Sequence, residues 1–150
     1  MLFRSRQRTN GYEAGINGRL RSRWRVAGGY AFQDAFIVSA TTVAAAGATV
    51  AQVPRHTVTL WNDFQWHPRI NGGLGLQYRS DMFAAVDNTV TLPGYVRVDA
   101  AVQVAVHGSA RLQLHLENLF DRRYFVNADN NTNISPGAPR QVKLALSTRF

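Results

Sequence analysis

Residues 141–150 read Gln-Val-Lys-Leu-Ala-Leu-Ser-Thr-Arg-Phe. Side chains alternate across an extended chain with period two. Val142, Leu144, Leu146, Thr148 and Phe150 therefore share one face of a strand, and Gln141, Lys143, Ala145, Ser147 and Arg149 share the other. One face is apolar, the other polar, and the chain ends on an aromatic ring.

The same alternation runs upstream through the whole sequence. About seven strands are predicted, over 10–20, 24–37, 54–66, 70–83, 95–106, 110–125 and 139–150. Even positions carry the apolar side chains: Ile16 and Leu20, Val26 and Phe32, Val58 and Phe64, Leu74 and Leu76, then Val96 to Val106 and Leu112 to Leu116. Asn62 is the main polar exception, and Asp34 sits near a strand end. Odd positions carry the charges, among them Glu13, Arg25, Asp63, Arg97, Asp99, Arg111, Glu117 and Lys143.

Connections alternate in length. Arg21-Ser22-Arg23, His67-Pro68-Arg69 and His107-Gly108-Ser109 read as three-residue tight turns. Three-residue turns keep even opposite even across each short hairpin. The segments 38–53, 84–94 and 126–138 are long and rich in Ala, Asn, Thr, Gly or Pro. Short turns at one end and long loops at the other form an all-β antiparallel meander, the layout of an outer-membrane barrel.

Alternation alone does not say which face is outside. A soluble sandwich or lipocalin-like module buries the apolar face, and a membrane barrel turns it to lipid. Aromatic placement favours the barrel. Trp24, Trp66 and Phe150 lie at the tight-turn end, while Tyr12, Phe36, Phe83, Tyr95, Phe120, Tyr124 and Phe125 lie at the long-loop end. Two aromatic bands flanking a Val/Leu/Ala zone match interfacial girdles.

Composition narrows the function. With 45% apolar residues the chain is not of disordered type. No apolar run approaches the roughly 18 residues of a transmembrane helix. The N-terminus has Arg4, Arg6 and Arg8 but no apolar stretch behind them, so it does not read as a secretory signal. There is no cysteine, hence no disulfide or thiolate metal site. The net charge of +8 is almost all Arg and is spread along the chain, as expected of solvated faces and turns rather than a nucleic-acid surface.

The segment Leu116–Phe125 reads Leu-Glu-Asn-Leu-Phe-Asp-Arg-Arg-Tyr-Phe and is followed by Gly137-Ala138-Pro139-Arg140 and the terminal strand. This resembles the C-terminal end of TonB-dependent outer-membrane receptors of siderophore-receptor type. The motif residues are Asn118, Leu119, Phe120, Asp121 and Tyr124. Val53-Pro54-Arg55-His56, Leu92-Pro93-Gly94-Tyr95 and the stretch from Asn10 to Tyr30 are similar to family segments as well.

The resemblance implies a place in the cell outer membrane of a Gram-negative bacterium. It implies a barrel of about 22 strands closed by a plug, with residues 1–150 as the last third or so of that barrel. Plug domain and signal peptide are absent from the sequence. It also implies active uptake of ferric siderophores or similar scarce nutrients, driven by the TonB complex through an N-terminal box not present here. Val142, Leu144, Leu146 and Phe150 resemble the signal read by the barrel-assembly machinery. A smaller structural, adhesion or porin-like outer-membrane barrel is the alternative.

No catalytic residue, cofactor or metal site is expected. Nucleophile elbows, phosphate loops and metalloprotease motifs are missing. His56, His67, His107 and His115 lack ligand spacing. Asn118 and Asp121 read as strand-end residues. Asp99 and Glu117, near Arg97 and Arg111, read as salt-bridged lumen groups rather than an acid/base pair. Ligand contact is expected from the long loops, above all the Asn-rich 126–137 segment with Asn127, Asp129, Asn130, Asn131 and Asn133.

Seven antiparallel strands cannot close on themselves, because the first and last run parallel. Open edges in lipid leave unpaired backbone groups at several kcal/mol each, and in water the apolar face is an exposed patch. The isolated chain is therefore expected neither to transport nor to fold stably. A monomer that unfolds cooperatively in detergent-free buffer, followed by circular dichroism, contradicts this.

Overall fold

The computed structural model describes residues 6–107 and 110–148. Seven long strands form one antiparallel sheet: β1 (Gln7–Arg21), β2 (Trp24–Ile37), β3 (His56–His67), β4 (Ile70–Arg79), β7 (Tyr95–His107), β8 (Ala110–Glu117) and β11 (Gln141–Ser147). They neighbour one another in chain order, so the sheet is a meander with β1 and β11 at its edges. Two short ribbons stand apart in the long loops. One pairs β5 (Met82–Phe83) with β6 (Thr91–Leu92), and the other pairs β9 (Phe125–Ala128) with β10 (Ile134–Pro136).

Parity holds along the ladder except in the last pair at each tight turn. Tyr12 faces Phe32, Val26 faces Asn62, Leu60 faces Leu76, Leu74 faces Ala100, Val102 faces Leu114, and Leu116 faces Val142. Opposed residues share a face, so the even positions of all seven strands make one continuous surface. That surface is open. Ile16 is 52% exposed, Leu74 49%, Val96 46% and Leu144 68%. No second layer covers it among the described residues, which is what separates this sheet from a sandwich. The sheet has the form expected of a barrel wall, one apolar face left open and one polar face.

The tight turns differ from the expected three residues. Arg21 pairs with Trp24 and His67 with Ile70, which leaves two-residue turns. His107 pairs with Ala110 across the third turn, whose Gly108 and Ser109 lie outside the described residues. Each hairpin shifts register just before its turn, at Arg19/Arg21, Gln65/His67 and Ala105/His107. A two-residue turn alone would set even against odd. The extra residue of a bulge, here Leu20, Trp66 or Val106, restores parity.

Strand ends also differ from the expected ones where loops look like strands. The strand expected over 70–83 stops at Arg79, and Met82–Phe83 turns away into its own ribbon. The strand expected over 110–125 stops at Glu117, because Asn118 takes a φ of 53° that no extended chain tolerates. The 54–66 strand begins at His56, and the first strand extends from Gln7 to Arg21. The last is described as Gln141–Ser147. Phe150 and Arg149 lie outside the described residues, as does Arg4 of the opening basic segment.

Val26, Ala35, Ile37 and Tyr95 are buried within the sheet, but the buried apolar cluster among the described residues lies in the loops. Met82, Ala84, Leu92 and Ala128 form a buried cluster joined by Val90 and Ile134, all contributed by the two loop ribbons and their flanks. A barrel wall meets hydrocarbon on one side and lumen on the other, so only its loops pack as a globular protein does.

Candidate functional site

Three groups of residues stand out: a knot at the end of β8, the polar face of the sheet, and the packed loops. In the knot, Asn118 is 1% exposed and in the left-handed region, which Asn visits at low cost. Its Oδ1 accepts from the Arg122 amide at 2.8 Å, and its Nδ2 donates to the Arg122 carbonyl at 2.9 Å and the Ala138 carbonyl at 3.0 Å. Its own amide donates to Asp99 Oδ1 at 2.8 Å. Asp121, at φ 51°, accepts from the Arg140 amide at 2.8 Å. The two side chains thus tie the 118–122 turn to the start of the last strand.

Tyr124 completes this knot. Its ring lies on Gly137, where a Cβ would come within 2.2 Å of the ring, and its carbonyl accepts from the Gly137 amide at 2.7 Å. Its hydroxyl accepts from Arg97 at 3.2 Å, and its ring centroid is 4.4 Å from that of Tyr95. Tyr95 and Tyr124 are each only 6% exposed, so they leave the outer girdle in which the sequence places them. Tyr95 is an odd residue on the polar face, and the turn at Asn118 carries Tyr124 back over that face. Leu119 continues the ladder by donating to the Val98 carbonyl, and Phe120 stands 74% exposed.

On the polar face, Arg97 Nη2 meets Asp99 Oδ2 at 2.8 Å, and the other Asp99 oxygen holds the knot. Glu117 pairs with Lys143 at 2.6 Å across the last hairpin. Arg111 has no carboxylate partner among the described residues. The residues expected to act as salt-bridged groups thus form two separate pairs rather than one network. Sequence reasoning missed Trp61. Its indole lies on Gly73 and Gly75, whose Cβ atoms would come within 2.4 Å, and donates to Asp63 at 2.9 Å. A large ring at an odd position, opposite Gly75 and diagonal to Gly73, was the available signal. A cleft of about 530 Å³ lies beside it, lined in part by Thr59, Trp61, Gln77, Arg97 and Asp99.

The loops lock together through side chains that close on backbone. Asn88, at φ 56°, accepts from the Thr49 amide at 2.7 Å and donates to the Thr49 carbonyl at 2.9 Å. Gln52, at φ 60°, donates to the Ala128 carbonyl at 2.5 Å, and its own amide donates to the Phe83 carbonyl at 2.9 Å. Asn131 donates to Asp87 at 2.7 Å and Thr89 at 2.9 Å. Hydrogen bonds, first from the Thr89 amide, hold the Asp87 carboxyl below its ordinary range. Asn130 accepts from the amides of Thr132 and Asn133. Two of the asparagines expected to contact ligand are therefore engaged within the loops.

The histidines are dispersed. His56 Nδ1 bonds the Tyr30 hydroxyl at 2.9 Å, and His67 Nδ1 accepts from the Arg69 amide at 3.2 Å. Among the described residues no group of three or more metal-ligating side chains comes together. On β11, Val142 is 65% exposed and Leu146 68%, on the apolar side of an edge strand that pairs only with β8.

The family model described as "TonB dependent receptor-like, beta-barrel" matches residues 3–119. The chain is 32% identical over 151 residues to the catecholate siderophore receptor Fiu of Escherichia coli K12, covering 97% of this chain and 20% of that protein. It is 28% identical over 153 residues to the probable TonB-dependent siderophore receptor PiuA of Acinetobacter baumannii, covering 95% of this chain and 21% of that protein. The crystal structure of Fiu in its closed form superposes with a TM-score of 0.86 over 97% of this chain and 21% of that one, at 31% identity. That of PiuA gives a TM-score of 0.84 over 95% and 22%, at 28% identity. The chain spans about a fifth of the length of these relatives.

The knot makes a definite prediction in the protein that carries this chain. Asn118→Ala removes buried hydrogen bonds and leaves an alanine in the left-handed region, and is expected to destabilise by about 2–4 kcal/mol. Asn118→Gly relieves only the backbone part, recovering about 1 kcal/mol. Urea unfolding in detergent checks the order, and an unchanged midpoint for Asn118→Ala contradicts it.

Proposed function

The chain belongs to the TonB-dependent receptor family through its β-barrel domain, and we propose that it forms the C-terminal part of the barrel of a receptor for ferric siderophores or similar scarce nutrients. It belongs to an outer-membrane protein of Gram-negative bacteria. In this reading lipid meets the even face, and the odd face lines the lumen toward a plug domain carried elsewhere in the protein. TonB supplies energy through a box that is likewise elsewhere. The supporting observation is the single sheet with one open apolar face, shared in shape and sequence with two siderophore receptors along nearly its whole length.

Transport is the activity of the family in this reading, and the Arg97–Asp99–Asn118 cluster acts as a structural tie, with Arg97 and Asn118 each bonding Asp99. Tight turns lie on the periplasmic side and the locked loops outside. Ligand would meet the loops and the lumen mouth beside Trp61, Gln77 and Arg97. The last strand, with Val142, Leu144, Leu146 and Phe150, would be the signal for the barrel-assembly machinery, since an open edge with an apolar face is what a growing barrel can pair.

Two measurements test this. The complete reading frame, expressed in an iron-starved strain lacking its own receptors, is expected to restore growth on a ferric siderophore only when TonB is present. Rescue without TonB, or none with catecholate, hydroxamate or carboxylate siderophores, overturns the transport reading. Phe150→Ala in the same protein is expected to lower the assembled barrel in outer-membrane fractions, and undiminished assembly removes the signal role.

A further inference from the structure

The bulges at the tight turns do more than restore register. Upstream of the bulge Arg19 lies on the polar face, opposite Arg25. Beyond the extra residue Leu20, Arg21 lies opposite Trp24, an outward position. Opposed residues share a face, so the bulge carries Arg21 from the lumen side to the membrane side. The next hairpin repeats this: Trp66 is the extra residue, and His67 faces the outward Ile70.

Arg21 arrives beside an aromatic shelf. Trp24 and Phe64 are cross-strand neighbours with ring centroids 5.4 Å apart and planes within 18°. Phe64 is opposite Gly72, and the Trp66 indole lies over Gly72, where a Cβ would come within 2.4 Å of it. Three rings therefore span β2, β3 and β4 at one level. The Trp24 indole N–H is already taken by Asn62 at 3.2 Å, which satisfies the one polar interior residue of the apolar face. A cleft of about 350 Å³ opens between the two turns, lined by Arg21, Arg23, Trp24, Phe64, Gln65 and Trp66. No carboxylate lines it, and neither arginine has a carboxylate partner among the described residues.

We propose that this cleft is a docking site for an anionic phospholipid of the periplasmic leaflet, its phosphate held by Arg21 and Arg23, its glycerol region on the Trp24–Phe64–Trp66 shelf, and its acyl chains along Leu60, Leu74 and Leu76. The proposal rests on reading the chain as a barrel segment. Charge complementarity selects the headgroup: two unpaired guanidiniums favour phosphate with no compensating cation. The apolar side chains above the shelf, 37–49% exposed, require an occupant with hydrocarbon tails, which free phosphate lacks. Periplasmic turns place the site at the inner, phospholipid leaflet.

The test is native mass spectrometry of the complete receptor in detergent, titrated with phosphatidylglycerol or with phosphatidylcholine, and with glycerol 3-phosphate as soluble competitor. Phosphatidylglycerol is expected to bind preferentially. Arg21→Gln and Arg23→Gln should each weaken it about fivefold, Arg21→Lys should retain most of the preference, and Arg111→Gln on the polar face should leave it unchanged. Heat-modifiable migration in gels reports whether each variant is a folded barrel. A folded Arg21→Gln/Arg23→Gln double variant with an undiminished preference overturns the site and leaves the barrel reading standing. Full displacement by glycerol 3-phosphate overturns a lipid occupant in favour of a simple phosphate site. A complete protein that forms no heat-modifiable barrel overturns both readings.

Discussion

Lateral backbone pairing is the constraint on which everything else depends. In hydrocarbon each strand must find its hydrogen-bond partners beside it, because neither water nor side chains on the lipid side can supply them. The seven-strand ladder meets this demand with even opposite even from Tyr12 to Leu146. One slip of a single residue would turn an arginine to lipid and a leucine to the lumen. Register, apolar exposure and charge placement are consequences of that one rule.

The places where the rule is broken are informative. At the tight turns a bulged Leu20 or Trp66 lets two residues do the work of three and delivers Arg21 and His67 to the outer rim. At the other end of the sheet, Asn118 leaves the extended conformation and makes four hydrogen bonds, one to Asp99, two to Arg122 and one to the Ala138 carbonyl just before the final strand. On the apolar face the polar side chains find partners on neighbouring strands. Asn62 is held by Trp24, and His56 by Tyr30.

The loops obey different physics. There an apolar cluster is buried around Met82, Leu92 and Ala128, and there Gln52 and Asn88 adopt backbone conformations that their reciprocal hydrogen bonds make worthwhile. A wall that is wet on one side and oily on the other has no interior, so its ordered extramembrane end must make its own.

Period-two alternation, the short and long connections, and the Asn118–Tyr124 and Gly137–Arg140 segments were legible in the amino-acid order, because each is a local pattern. They determined an antiparallel meander with one apolar face and the resemblance to its family. Only the tertiary structure decided what depends on residues meeting across the sheet or between loops. Strands expected to run through Phe83 and Phe125 end early, because ribbons between loops win Met82–Phe83 and Phe125–Ala128. Tyr95 and Tyr124 pack together over the polar face, because Asn118 reverses the chain. Trp61 needs glycines from a neighbouring strand, and Arg21 needs a bulge to change sides. Periodicity is carried by neighbours in sequence, whereas these contacts join residues that only the fold brings together.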